Sequence, residues 1–129
     1  MAVELRLLAW STLLGFVHII LSAQATTNQY GLTWNTGARD EEVPPLNALA
    51  GRLRRAQDNF LETFPLFAAA VLIAMLAGRG GTLSQWGVQL YFWSRVVYLP
   101  LYAFGVRIVR TLVWIVSIVG IGCVLAALL

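Results

Sequence analysis

Residues 55–77 read RAQDNFLETFPLFAAAVLIAMLA. The strictly apolar part, Phe64 to Ala77, is too short to span alone, because the roughly 30 Å hydrocarbon core of a bilayer takes a helix of about 20 residues. A span built here must extend backward through Glu62, Asn59 and Arg55. Ionisable groups at membrane depth cost roughly 2.5–3.5 kcal/mol each on insertion scales, so they face protein or a water-filled cavity rather than lipid. The reading of this stretch therefore depends on what surrounds it.

The surroundings favour a membrane. Three other apolar stretches, Leu5–Ala25, Leu83–Phe104 and Ile108–Leu129, each meet the spanning length. The 129-residue chain is 59% hydrophobic and 12% charged, with mean hydropathy +0.74. Soluble domains are nearer 45–50% apolar and about 25% charged, which argues against a water-soluble monomer. The expected fold class is an all-α integral membrane protein, a bundle of four transmembrane helices in a single domain over 1–129. The helices are expected at about 5–25, 44–78, 83–104 and 107–128, with a polar connection over 26–43.

The connections carry their own signals. Asp40, Glu41 and Glu42 precede Pro44-Pro45. Acids before a first-turn proline suit the positive end of a helix, where proline needs no N–H, so the second helix is expected to start near Pro44. Gly78-Arg79-Gly80-Gly81 reads as a tight turn, with Thr82 or Ser84 as the next helix cap. Ala23-Gln24-Ala25 has the form of a signal-peptidase site. A single arginine offset by Glu4, and a long apolar run, favour a retained span instead.

All nine basic residues are arginine. They are scattered between apolar runs and form no basic tail, so the pI near 9.6 reads as membrane topology rather than nucleic-acid binding. Arg39, Arg52, Arg54, Arg55, Arg107 and Arg110 flank the first and third connections, against Arg6 and Arg79 on the other side. The positive-inside rule then puts those two connections in the cytoplasm and both termini outside. Cys123 is the only cysteine and His18 the only histidine, so neither a disulfide framework nor a metal site is expected. His18, mid-span, is expected to hydrogen-bond a neighbouring helix.

Two polar sets recur at helical spacing. Arg55, Asn59 and Glu62 share one face of the second helix, and Arg95, Tyr98 and Tyr102 share one face of the third. Arg110 lies in the first turns of the fourth, at the same end. One reading is scaffolding: Glu62 neutralises Arg95, Asn59 bonds across helices and the tyrosines form an interfacial belt. The other is an anion site, since arginine stays charged when buried and binds carboxylate bidentately. The scaffold reading leaves Arg55 and Arg110 without embedded acidic partners.

The segment 55–67 resembles the signature R-A-x-x-N-x-x-E-x-x-P of the MAPEG family, membrane-associated proteins of eicosanoid and glutathione metabolism. The R-x-x-Y-x-x-x-Y at Arg95, Tyr98 and Tyr102, followed by an arginine and a helix bearing Trp114, agrees with it. The segment is most similar to the branch of leukotriene C synthase and microsomal glutathione transferase, and the short connection before the fourth helix looks bacterial. The resemblance implies a homotrimer binding glutathione as co-substrate between neighbouring subunits, near the cytoplasmic face, with no metal. Carried over by position, Arg55, Gln57, Asn59, Glu62, Arg95, Tyr98 and Tyr102 match glutathione contacts. Arg110 matches the arginine beside the glutathione sulfur, with Arg107 as its rival. Thr63 stands where that branch has a tyrosine, and Gln24 and Asn28 stand where it has a basic pair.

The implied activity is that of a glutathione transferase or peroxidase for lipophilic electrophiles or lipid hydroperoxides. The partners would be the bilayer, a lipophilic substrate and further copies of the chain, with no nucleic acid, in a bacterial inner membrane. The alternative is a non-catalytic lipid-binding or scaffold protein of the same fold. A proton-coupled exporter fits poorly, because the first helix has no acid after Glu4.

Overall fold

A computed structural model describes residues 1–129. The chain forms five helices: α1 (Val3–Tyr30), α2 (Leu32–Thr36), α3 (Ala48–Leu76), α4 (Thr82–Ala103) and α5 (Ile108–Leu128). Helices α1, α3 and α5 are long and apolar enough to cross a membrane. Helix α4 packs against all three.

The polar stripe of α1 faces inward and its apolar side outward. Glu4, Ser11, His18 and Ser22 are buried, while Trp10, Leu13, Phe16 and Ile20 are exposed. In water this arrangement would be inside-out. In lipid it is the stable one, because the bilayer solvates the aliphatic side chains and cannot solvate the polar ones.

Two expected boundaries move. The first helix runs on to Tyr30 rather than stopping near residue 25, and ends where Gly31 adopts φ 97°, a left-handed angle that glycine tolerates. The third helix starts at Ala48 rather than near Pro44. Pro44 cannot open it, because Pro45 pushes the residue before it out of the helical region. Asn47 does so instead, its side chain accepting from the Ala50 N–H at 2.9 Å. The carbonyls of Pro44 and Pro45 accept from the Tyr30 hydroxyl and from Gln29 Nε2. These bonds hold the connection against the end of α1.

At the opposite end Gly81 occupies the cap position of α4, and Ser84 Oγ accepts from the Gly81 N–H at 2.9 Å. Ser84 also donates to the buried Glu4 carboxylate at 2.8 Å, which pins the start of α1 to the start of α4. Between this end and the arginine-rich end, Phe67 and Tyr91 stack at 3.9 Å inside an apolar cluster with Val88, Ile121 and Val124.

Helices α4 and α5 meet backbone to backbone. A Cβ placed on Gly120 would lie 2.7 Å from both Gly87 O and Tyr91 N, and one on Gly87 would lie 2.7 Å from Gly120 O. Small residues that allow such approach are how membrane helices gain packing contacts without a hydrophobic driving force. A Gly120→Ala change meets main chain, which cannot rotate aside. It is expected to destabilise the protein by about 1–3 kcal/mol, the range for overpacking. Gly122→Ala enters open space and is expected to be neutral. Unfolding titrations of the two variants in mixed detergent check the contrast.

Candidate functional site

A polar cavity of about 410 Å³ opens between α3, α4 and α5 at the arginine-rich end. Helix α3 contributes Arg55, Asn59 and Glu62, which one helical face brings together as their spacing requires. Helix α4 contributes Tyr98 and Tyr102, and α5 contributes Arg110, Thr111 and Trp114. Six of the residues singled out from the sequence thus share one cavity.

Local packing sets the cations. The Arg110 guanidinium lies 4.4 Å from the centre of the Tyr102 ring, a cation–π contact that fixes its position over the cavity. Arg107 stands at the N-cap of α5 and does not line the cavity, which separates it from Arg110. The Arg55 guanidinium lies back over Gly51, whose missing Cβ would sit 3.2 Å from Arg55 Nη1. The Arg52 Nε donates to the Ala103 carbonyl at 2.9 Å and ties α3 to the last turn of α4.

The charges of the cavity do not cancel one another. Asp58, also at the cavity, pairs with Arg54 at 3.6 Å, and this is the only ion pair in the molecule. Glu62, Arg55 and Arg110 have no salt-bridge partner. The site therefore combines two free guanidinium groups, one free carboxylate, an amide and two phenols. That set suits a small ligand carrying carboxylates, an ammonium and peptide groups.

Arg95 and Gln57 do not join this cavity, and two expected contacts, Glu62 with Arg95 and a hydrogen bond from His18, are replaced by others. Arg95 is fully buried and does not line the cavity. Its Nη1 donates to Asn59 Oδ1 at 2.8 Å, so Glu62 does not neutralise it and it lies behind the wall. Gln57 points away from this cavity, to a smaller one of about 160 Å³ on the other side of α3, lined also by Arg54, Trp34, Asn35 and Arg39. There the Arg39 guanidinium lies 4.5 Å over the Trp34 ring. His18 makes no hydrogen bond, and its ring stacks on Phe60 at 4.9 Å.

Thr63 is buried and lies 3.1 Å from the Tyr91 hydroxyl. It supports the wall without reaching the cavity. Trp114 and Thr111 were not singled out as site residues, although Trp114 lies one turn beyond Arg110 and on the same face.

The sequence matches the model of the MAPEG family over residues 7–129. No curated protein and no solved structure matches it.

Replacing Thr63 by valine leaves the buried Tyr91 hydroxyl without its partner. The expected loss is about 1–3 kcal/mol of stability, the cost of an unsatisfied buried group, and ligand binding in the cavity is unaffected. A detergent unfolding titration beside a binding isotherm reads both.

Proposed function

The chain belongs to the MAPEG family, and from that premise and the geometry of the cavity we propose that it is a membrane-bound glutathione-dependent enzyme. It acts as a transferase or peroxidase on lipophilic electrophiles or lipid hydroperoxides. The observation that carries the reading is the cavity in which Arg55, Asn59, Glu62, Tyr98, Tyr102 and Arg110 converge with neither arginine paired to an acid.

In this reading Arg55 binds a glutathione carboxylate and Glu62 its ammonium. Arg110 lies near the sulfur. Thiolate, not thiol, is the nucleophile. An unperturbed thiol with pKa ~8.5 is only a few per cent ionised at pH 7. A guanidinium that lowers that value by about two units makes thiolate the major form. The thiolate then attacks an electrophilic carbon, forming the C–S bond as the leaving group departs with its electron pair. With a hydroperoxide it attacks the terminal oxygen instead: the S–O bond forms as the O–O bond breaks, and the alkoxide takes up a proton and leaves as the alcohol. A second glutathione thiol then attacks the resulting sulfenic acid, forming the disulfide and releasing water. Drawing both reactants to one membrane edge supplies much of the remaining rate.

The architecture supports the finer elements of the proposal. Helix α4 has 22 residues, about 33 Å at 1.5 Å per residue, and we read it as the fourth span. Both termini then lie outside the cytoplasm, with the arginine-rich end at the inner face of the plasma membrane. Gln57 faces away from the cavity that holds Arg55. One protomer cannot bring both to the same ligand, whereas neighbouring copies in a trimer can, with the second cavity of one copy facing the first cavity of the next.

Calorimetry with glutathione on the purified protein tests the ligand. Binding is expected in the parent and is weakened in Arg55→Ala and Glu62→Ala. No binding by the parent rejects the enzyme reading in favour of a lipid-binding member of the fold. In Arg110→Ala, the ultraviolet thiolate difference spectrum is expected to vanish at pH 7 while affinity falls only modestly. A spectrum that persists unchanged rejects Arg110 as the thiolate partner.

A further inference from the structure

Arg95 determines which edge of the Asn59 amide the cavity sees. The Arg95 Nη1 to Asn59 Oδ1 distance is 2.8 Å. A guanidinium carries five donors and no acceptor, so only the amide oxygen can face it. The amide nitrogen is turned the other way and has no partner within the protomer. Because Asn59 lines the cavity and Arg95 does not, the two amide N–H groups are directed at whatever the cavity holds.

Arg95 is itself immobilised. It is fully buried, with its guanidinium 4.3 Å over the Tyr98 ring and 5.4 Å over the Phe60 ring. No carboxylate pairs with it, since the one ion pair in the molecule is Arg54–Asp58. Its charge thus stands directly behind the amide and polarises the N–H groups toward the cavity.

We infer that Arg95 is a positioning residue that locks Asn59 with its donor edge toward the ligand. Beside the carboxylates and hydroxyls of the lining, the Asn59 N–H groups then join Arg55 and Arg110 as its donors. What binds against these donors is an acceptor, a carboxylate or a peptide carbonyl. Glu62 is the cavity's one carboxylate not engaged by an arginine, and it is left to receive a cation. Recognition of a zwitterionic peptide is thereby given a direction, with its acceptor groups on Asn59 and its ammonium on Glu62. The identity of the ligand rests on the glutathione reading, and the orientation of the amide does not.

Asn59→Asp is the decisive substitution, because it keeps the shape and the oxygen facing Arg95 while turning the donor edge into an anionic acceptor. Calorimetry on the full-length protein in detergent is expected to show glutathione affinity falling about tenfold or more, as loss of a hydrogen bond to a charged group implies. The unfolding temperature is expected to rise. Unchanged affinity in N59D overturns the assignment of the donor edge. Arg95→Met is expected to weaken glutathione binding by a similar factor, and Arg95→Lys, which keeps a charged donor, to recover part of it. Equal losses in both overturn the positioning role.

A ligand-free arm separates this inference from the glutathione reading. N59D is expected to raise the unfolding temperature in the parent and not in the Arg95→Met background. The same rise in both overturns the contact. If the parent binds no glutathione, the glutathione reading fails, and this cycle alone decides the orientation.

Discussion

A guanidinium buried between helices constrains everything around it. Taking such a charge out of water costs several kcal/mol unless it is hydrogen-bonded. Arg95 recovers about 1.5–3 kcal/mol from its bond to Asn59, as for other hydrogen bonds to charged groups. Its position over Tyr98 and near Phe60 adds about 0.5–2 kcal/mol of cation–π attraction. These contacts offset part of that cost with no acid beside the charge, while its Nε and Nη2 find no partner. The geometry that achieves this also orders the residues on either side. It sets Asn59 and Tyr98 at the wall of the cavity, and it brings α3 and α4 into register.

Stacking also accounts for the use of arginine. Arg110 on Tyr102, Arg39 on Trp34 and Arg95 on Tyr98 all lie over aromatic faces. A planar, weakly hydrated guanidinium stacks in this way while its edge still donates, whereas an ammonium is a compact and strongly hydrated point charge. Arg52 shows a second use, donating to the last carbonyl of α4. Cations that stack or bond to backbone need no acids, which is why the arginine-rich end keeps free positive charge facing its cavity.

Much of the site was legible in the sequence. Arg55, Asn59 and Glu62 at one helical face, Tyr98 and Tyr102 on the next helix and Arg110 on the last converge as their spacing implies. Periodicity predicts which residues of one helix share a face. It does not say how far a helix is rotated against its neighbours, and the placements of Arg95 and Gln57 follow from that. Arg95 shares a face with Tyr98 and Tyr102, yet packing turns it inward. Gln57 lies in the same motif as Arg55 and Asn59 but faces the other cavity. Pro44 carries the local signal of a helix start, while its neighbour Pro45 and the cap at Asn47 move the start of α3 to Ala48.

What the sequence by itself determined was an all-helical membrane chain, its arginine-rich end and the residue types gathered there. Hydropathy, charge count and helical period depend on covalent order, and lipid enforces them without reference to a partner element. The tertiary structure alone decided which groups touch: the bond from Arg95 to Asn59, the stacking of His18 on Phe60, the close approach at Gly87 and Gly120, and the division of α3 between two cavities. Those depend on how one helix is rotated and translated against another. That is set by the fit of side chains from distant parts of the chain, and no single stretch of sequence contains it.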